Sequence, residues 1–370
     1  MTSHGQPRFD RRRIAVRKPV TQSLLLATLV VGCVHSTLAA ETTLPLAGTW
    51  KFRLDPEDVG VTEKWFAREF EDTVQLPGTT DENHKGIKKD ERCVDRLSRL
   101  WYWKGPAWYQ RRVTIPDAWE GQRITLLLER SKNTRVWVDQ TFCGWEDTLS
   151  APQFFDVTAA MTPGEHTLTV LVDNARLPPV GPSHAVDERT QTNWNGIIGK
   201  MELRATAPVW LDDIQVYPNA KEKKARVRVV VGNITGKAAS GRITVACASY
   251  NVAKPSTFRT QSFQVKAPER ENVVEFTYEP GDDVPLWDEF QPAMLRLTLN
   301  LETKADGEPF SNQRSVSFGM RDFTRERNRL LINGNRVFLR GRTDSANYLS
   351  LIHISEPTRP LYISYAVFCL

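Results

Sequence analysis

The chain has 370 residues, of which 40% are hydrophobic and 25% charged, a composition typical of a globular protein with two or three domains. Its formal net charge of +5 arises from the first 20 residues, where one acid, Asp10, faces the basic side chains of Arg8, Arg11, Arg12, Arg13, Arg17 and Lys18. The rest of the chain is neutral overall. We therefore expect no nucleic-acid partner, because non-specific nucleic-acid binding needs a basic surface.

Residues 1–40 are predicted to be an export signal. The basic start is followed by the apolar stretch Ser23–Gly32, and small residues just before Glu41 provide a cleavage site. The apolar stretch is too short for a comfortable transmembrane helix. Because Val30–Cys33 also resembles a bacterial lipobox, a lipid on Cys33 is the alternative to plain secretion. We expect an exported protein, periplasmic or extracellular, that meets a membrane only if Cys33 is lipidated.

Three cysteines remain between the leader and the C-terminal residues, namely Cys93, Cys143 and Cys247. An odd number at wide spacing is not a disulfide framework, and no CxxC pair indicates a zinc site. We expect buried free thiols, no metal site and no cofactor.

Residues 41–207 alternate between apolar and polar side chains in short runs, which is the pattern of β-strands. The clearest runs are Arg111–Pro116, Arg123–Glu129, Thr134–Asp139 and His166–Asp173. Many short strands with no long amphipathic helix predict an all-β domain, a sandwich or jelly roll. Trp108 is interpreted as a core residue of this domain.

Residues 208–319 repeat the strand pattern in about seven segments, which favours an immunoglobulin-like sandwich. The first strand, Val209–Tyr217, is expected to carry a bulge at Asp212–Asp213. Beyond it, Arg321–Arg329 is interpreted as a solvated linker. Asn333–Gly334 lies between two apolar runs and predicts a two-residue hairpin turn with both central φ angles positive.

Six phrases in this order resemble glycoside hydrolase family 2, the family of β-galactosidases, β-glucuronidases and β-mannosidases. They are Leu46–Phe52, Gln75–Thr79, Trp108–Arg111, Val136–Gln140, Asn193–Ile197 and Leu331–Gly341. The resemblance implies a jelly-roll sugar-binding domain over 41–207, an immunoglobulin-like domain over 208–319, and then a (β/α)8 barrel whose first hairpin lies in 320–348.

The same resemblance implies retaining hydrolysis by two glutamates on barrel strands. A barrel takes about 250 residues, whereas only a short segment follows the second sandwich here. We therefore expect no catalytic residue in this chain, and an inactive fragment.

The last residues are expected to be foreign to the protein. Leu349–Arg359 resembles the in-frame translation of a sequencing-library adapter, and Pro360–Leu370 has neither the length nor the pattern of a spanning helix. The expectation is therefore that 349–370 is non-native. A real C-terminal strand is the alternative.

Three residues are predicted to contact sugar. In family relatives an asparagine or acid just before the Gly-Ile pair reaches the first sugar subsite, and Asn193 in Asn193–Ile197 occupies that place. Trp194 beside it offers a ring for stacking on a pyranose. Asp81 lies in a loop whose position resembles one that approaches the active site in relatives. The alternatives are a Trp194 folded into the core and plain turn chemistry for Asp81.

Two functions follow from these patterns. The first is the N-terminal part of an exported retaining glycosidase that acts on β-linked glycosides, with a carbohydrate substrate as partner. The alternative is a non-catalytic carbohydrate-binding or adhesion protein built from two β-sandwiches.

Overall fold

The computed structural model describes residues 41–89, 100–149, 151–176, 193–268 and 270–340. This part of the chain is all-β, apart from two short 3-10 turns at Trp65–Ala67 and Asp117–Trp119. No helix within it has the length and apolar character needed to cross a bilayer. The predicted leader with Cys33, as well as Cys93 and residues 341–370, lie outside the described residues.

The first sandwich is the jelly roll that the alternation predicted. Its strands in chain order are β1 (Thr42–Pro45), β2 (Gly48–Leu54), β3 (Asp72–Leu76), β4 (Gly78–Thr79), β5 (Ile87–Lys88), β6 (Trp101–Tyr102), β7 (Pro106–Ile115), β8 (Arg123–Arg130), β9 (Asn133–Val138), β10 (Thr141–Glu146), β11 (Gln153–Asp156), β12 (Gly164–Asp173) and β13 (Gly196–Thr206). One sheet has the order β1-β13-β8-β11, with β4 paired to β13, and the facing sheet has the order β10-β9-β12-β7-β2-β3. The short ribbon β5-β6 stands apart from both.

The core between the two sheets follows from the period-2 alternation of the strands. Val136 and Val138 of β9 point inward beside Val170 of β12, while Trp137 between them points to the outer face. Burial of this apolar surface supplies the main driving force for the sandwich.

The outer face of the larger sheet is partly covered by the segment that connects β2 to β3. Trp65 and Phe70 of this cover segment, residues 55–71, pack on the buried Trp108 and Trp137. Asp55 holds the segment down: its carboxylate accepts hydrogen bonds from the backbone N–H of Gly60 at 2.8 Å and from Trp108 Nε1 at 3.1 Å. Trp108 is fully buried, which confirms its interpretation as a core residue.

The second sandwich has the seven strands expected of an immunoglobulin-like domain. They are β14 (Val209–Asn219), β15 (Lys224–Asn233), β16 (Ala239–Tyr250), β17 (Gln261–Ala267), β18 (Glu271–Tyr278), β19 (Met294–Ala305) and β20 (Glu308–Phe318). The sheets have the orders β14-β15-β18 and β17-β16-β19-β20. The register of β14 on β15 shifts between Leu211 and Asp213, so the predicted bulge is confirmed.

The predicted domain boundary falls in the two-residue connection between β13 and β14. Across it, the guanidinium of Arg123 lies 4.3 Å from the ring centroid of Trp210. A second contact joins Arg270 to Asp156 at 3.4 Å. These contacts tie the two sandwiches together at their junction.

A three-stranded sheet follows, formed by β21 (Phe323–Glu326), β22 (Arg329–Ile332) and β23 (Asn335–Val337). Arg321–Arg329 is mostly exposed, as expected of a solvated linker, but the interpretation as a linker is wrong for its structure, because β21 within it pairs along its length with β22. Asn333 and Gly334 have φ angles of 51° and 81°, which confirms the predicted hairpin turn.

Both described cysteines are free thiols, but they differ in burial. Cys247 is buried, as expected, whereas Cys143 on the edge strand β10 is only half-buried, so the prediction of a buried thiol is wrong there. Within the described residues, no group of three or more His, Cys, Asp or Glu side chains is arranged to hold a metal ion.

Candidate functional site

Two loops that carry the predicted sugar-binding residues lie side by side. The strand β4 pairs with the start of β13, with Thr79 opposite Gly196, and the backbone N–H of Thr80 donates to the carbonyl of Asn195 at 2.9 Å. Gly196 has a φ of 140°, and a Cβ there would lie 2.3 Å from the carbonyl oxygen of Gly78. Only glycine allows this approach, so it brings the Asp81 loop against the Asn193 loop.

Asn195 anchors this junction from inside the sandwich. Its Oδ1 accepts from the hydroxyl of Tyr109 at 2.8 Å, and its Nδ2 donates to the carbonyls of Gly105 and Val172, both at 2.9 Å. Burial raises the pKa of Tyr109 far above its usual range, so the phenol remains a neutral donor. Asn195 is fully buried, and its side chain fixes the loop that begins at Asn193.

A second amide repeats this role nearby. Asn174, which follows β12, accepts from the backbone N–H of Gly105 at 2.9 Å and donates to the carbonyl of Trp103 at 3.0 Å. Sequence reasoning missed Asn174, Asn195 and Tyr109 as a group, because they come from three distant segments. An amide directly after a strand is the one local signal from which Asn174 could have been predicted.

Asn193 and Trp194 are both buried, with 2% and 8% of their surfaces exposed. The ammonium of Lys132 lies 4.3 Å from the centroid of the Trp194 ring, and Lys132 is itself only 2% exposed. A buried cation over an indole is favourable when both are desolvated. This placement agrees with the alternative of a Trp194 folded into the domain, and stacking on sugar stays a prediction.

The indole Nε1 of Trp194 is buried and has no acceptor among the described residues. A buried N–H without a partner costs about 1–3 kcal/mol. Such groups are usually satisfied by water or by a bound molecule. Trp194 therefore offers a hydrogen-bond donor, in addition to its ring, to any polar group that reaches it.

Asp81 shapes its own loop. Its Oδ1 accepts from the backbone N–H of Trp101 at 2.9 Å, so the carboxylate ties the loop to β6. In the same turn, Glu82 accepts from the backbone N–H of Thr79 at 2.8 Å. These bonds fit the turn-chemistry alternative, and contact of Asp81 with sugar also stays a prediction.

The residues just before Asn193, from Arg189 to Thr192, also carry amide and hydroxyl groups in the sequence, but they lie outside the described residues. Clefts of about 440, 710 and 780 Å³ lie elsewhere on the chain, and their linings include neither Asp81 nor Asn193 nor Trp194. What the structure brings together is therefore a rigid junction of two loops with buried amide, indole and ammonium groups. This arrangement can bind polar molecules.

Comparison with known proteins shows similarity to a sugar-binding domain. Residues 44–207 match the family model described as "Glycosyl hydrolases family 2, sugar binding domain". The chain is 23% identical to a beta-glucuronidase of Paenibacillus borealis over 314 residues, and 23% identical to the human beta-glucuronidase over 337 residues. Each alignment covers 80% of this chain.

Solved structures share the fold. A Bacteroides uniformis beta-glucuronidase 2 structure superposes with a TM-score of 0.62 at 18% identity, over 81% of this chain and 35% of that one. A Ruminococcus gnavus beta-glucuronidase superposes with a TM-score of 0.56 at 17% identity, over 81% of this chain and 48% of that one. The chain spans about half the length of the curated relatives it matches, 48% and 47%.

Proposed function

Because this chain belongs to glycoside hydrolase family 2, we propose that its two sandwiches serve a retaining glycosidase that acts on β-linked glycosides, with β-glucuronides as the first candidates. The observation that carries the proposal is the match of residues 44–207 to the family's sugar-binding domain. The similarity of most of the chain to two proteins named beta-glucuronidase supports the choice of substrate.

In this proposal the loop junction forms one wall of the sugar site. Asn193 supplies an amide to a sugar hydroxyl, and Trp194 supplies its Nε1 donor. The bonds of Asn195 and Tyr109 hold the junction still. A rigid wall loses little conformational entropy when sugar binds, which favours affinity.

The chemistry itself needs two carboxyl groups about 5–5.5 Å apart, one as nucleophile and one as acid and base. We propose that both come from a (β/α)8 domain of the complete protein. The relatives are about twice as long as the part this chain matches, which supports this arrangement. It follows that the chain alone does not hydrolyse glycosides.

We also propose that the protein is exported, periplasmic or extracellular, on the basis of the leader-like residues 1–40. Fractionation of expressing bacteria tests this: the chain is expected outside the cytoplasm with a new N-terminus near Glu41. If labelled fatty acid is incorporated into the wild-type chain but not into a Cys33→Ser variant, the protein is lipid-anchored through Cys33 and the proposal of soluble secretion is wrong. A cytoplasmic chain that retains Met1 would contradict both.

The activity proposal is tested with two proteins: the full chain, and the product of the reading frame obtained by re-amplifying the locus from source DNA. Each is incubated with aryl β-glucuronide, β-galactoside and β-mannoside. We expect no turnover by the chain and turnover by the longer product, highest on the β-glucuronide. Turnover by the rigorously purified chain would refute the separation of chemistry from these domains.

The same experiment distinguishes the non-catalytic alternative. A longer product that binds glycans but hydrolyses none of the three substrates would favour a carbohydrate-binding or adhesion protein. A native stop codon directly after Tyr348 would have the same meaning.

A further inference from the structure

A cleft of about 440 Å³ opens on the outer face of the first sandwich, at the edge formed by β9 and β10. The cover segment bounds one side of it through Val61. Its other lining residues are Asn133, Arg135, Trp137, Phe142 and Trp145. Asn133, Arg135 and Trp137 alternate along β9, so all three point away from the core.

A β-bulge gives the edge strand its aromatic face. In β10, Phe142 lies opposite Trp137 and Trp145 lies opposite Arg135, with the register shift between Phe142 and Gly144. In a regular strand, residues three apart point to opposite faces. The extra residue at Cys143 reverses the alternation and so brings Phe142 and Trp145 to the same outer face.

The two aromatic rings are unusually open for their size. Trp145 is 58% exposed and Phe142 is 51% exposed. The Phe142 ring packs against Trp137 in a tilted arrangement with centroids 5.3 Å apart. Trp137 in turn stacks on Phe66 and Trp108. The cleft therefore has a rigid aromatic floor and, at Trp145, an indole open to solvent.

The polar side chains of the cleft are available. Within the described residues, the side chains of Arg135 and Asn133 form no hydrogen bond or ion pair, and Arg135 is the one charged residue among those lining the cleft. Asp173, the cross-strand neighbour of Asn133, accepts from the backbone N–H of Ala175 at 2.8 Å and is paired with Arg176 at 3.5 Å. The Arg135 charge is thus free for a ligand.

We propose that this cleft is a second carbohydrate-binding site of the chain, which takes a pyranose unit bearing a carboxylate, as in an acidic polysaccharide. The apolar C–H face of a pyranose packs on the exposed indole of Trp145 and loses water there. The Asn133 amide bonds a ring hydroxyl, and the Arg135 guanidinium pairs with the carboxylate in the bidentate geometry that it favours.

This second site is independent of the proposed hydrolysis, because Asp81, Asn193 and Trp194 are not among the residues that line the cleft. It would hold the protein on a glycan chain, whether or not the complete protein is a glycosidase. The occupant is a glycan rather than a second protein chain, because two flat rings with an amide and a guanidinium beside them match a single sugar ring.

The experiment is affinity electrophoresis of the full chain in native gels that contain polygalacturonate or, as the neutral probe, hydroxyethyl cellulose. We expect retardation by polygalacturonate and little or none by the neutral polymer. Trp145→Ala should weaken the apparent affinity by about tenfold or more, the loss typical of a central contact. Arg135→Gln should remove the preference for the acidic polymer.

Phe154→Ala is the matched control. Phe154 is 52% exposed on β11 of the other sheet, so its loss removes a comparable exposed ring outside the cleft. It should bind like wild type, and all variants should keep the wild-type thermal midpoint. Equal loss in Trp145→Ala and Phe154→Ala, or no retardation of the wild type by polygalacturonate, overturns the proposal. Sedimentation that shows a dimer abolished by Trp145→Ala overturns it in favour of self-association.

Discussion

The two sandwiches have apolar cores of similar composition but differ in how many polar side chains they bury. Each buries a continuous cluster of Val, Leu and Ile between its sheets. Among the described residues, the first sandwich also buries most of the polar side chains, including Lys132, Asn174, Asn193 and Asn195. The second buries few, which are Asn233, Ser249, Thr303 and Asn312.

Buried polar groups stabilise a fold only when all their partners are present. A domain that serves as a spacer gains nothing from them, whereas a binding domain uses them to fix loops. We therefore expect the first sandwich to carry the binding function and the second to act as a scaffold.

The largest effect is expected for Asn195→Ala. The change removes the four hydrogen bonds of the Asn195 side chain. The Tyr109 hydroxyl loses its acceptor and the Val172 carbonyl loses a donor, whereas the Gly105 carbonyl keeps the bond from Trp103 Nε1. At about 1–3 kcal/mol for each buried group left unsatisfied, we expect the first sandwich to lose roughly 3–5 kcal/mol. Tyr109→Phe, which removes one of these bonds, should cost about 1–2 kcal/mol.

Urea unfolding separates the two domains. Of the 11 tryptophans, only Trp210 and Trp287 follow residue 207, so intrinsic fluorescence reports mainly the first sandwich. Leu297→Ala is the counterpart, because it opens a cavity in the second core and should cost about 2–5 kcal/mol there. If Asn195→Ala lowers the urea midpoints of both domains equally, the two sandwiches unfold as one unit and their stabilities cannot be assigned separately.

A smaller effect is expected for Asn193→Ala in the longer gene product. Loss of an amide that bonds sugar corresponds to about 1–3 kcal/mol, which lowers kcat/KM roughly ten- to a hundredfold at 1.36 kcal/mol per decade. Because Asn193 is buried, a modest loss of stability is expected as well.

Asp81→Asn is the companion variant. The amide keeps an oxygen that can accept from the Trp101 N–H, so the loop is retained while the charge is lost. Reduced kcat/KM in Asp81→Asn with an unchanged thermal midpoint would indicate contact with substrate. Unchanged kinetics in a folded Asn193→Ala enzyme would show that the amide does not reach the sugar.

Cys247 gives a pH-dependent effect confined to the second sandwich. Burial raises the pKa of its thiol from 9.0 to about 11. Between these values the unfolded chain releases the proton and the folded chain keeps it, so stability falls as the pH rises from about 9 to 11 and is constant in this respect below 9. Native Cys247 should also resist alkylation at pH 8.

Mass mapping of labelled cysteines and urea titrations from pH 8 to 11 check this expectation. A Cys247→Ala variant should show a shallower loss of stability over that range. An equal slope in wild type and variant would assign the effect to other groups, first of all to Tyr278, whose pKa is also raised by burial.

The smallest effect is expected at the surface pair of Asp139 and His166, whose Oδ2 and Nδ1 atoms are 2.8 Å apart. Partial burial alone would raise the pKa of Asp139, but the bonds from His166 and the Thr167 N–H lower it. Its contribution is therefore present near neutral pH and is lost as the pH falls through this lowered value. Asp139→Asn should cost less than about 1 kcal/mol at pH 6.

The control is Glu279→Gln in the second sandwich, where Glu279 pairs with Lys224 at 2.9 Å and both side chains are nearly half exposed to solvent. This variant should leave the urea midpoint unchanged, because water and salt screen exposed pairs. A larger loss of stability in Glu279→Gln than in Asp139→Asn would contradict the expected order of the two ion pairs.

The strands and their local irregularities could be predicted from the sequence, because period-2 alternation and turn residues act over a few neighbouring positions. The bulge near Asp212 and the positive φ angles at Asn333 and Gly334 are of this kind. The six ordered phrases also predicted the sugar-binding domain, since residues 44–207 match it. By contrast, β21 was missed, because exposed charged strands show no alternation.

The site depended on contacts between distant segments, which only the tertiary structure decided. Lys132 contacts Trp194, Tyr109 bonds Asn195, and the Asp81 loop meets the Asn193 loop at Gly196. Nothing in the local pattern around Trp194 indicates whether its ring faces solvent or a buried ammonium. The physical reason is that alternation fixes the face on which a side chain lies, whereas its neighbour on that face is set by sheet order and by the loops that cross the sandwich.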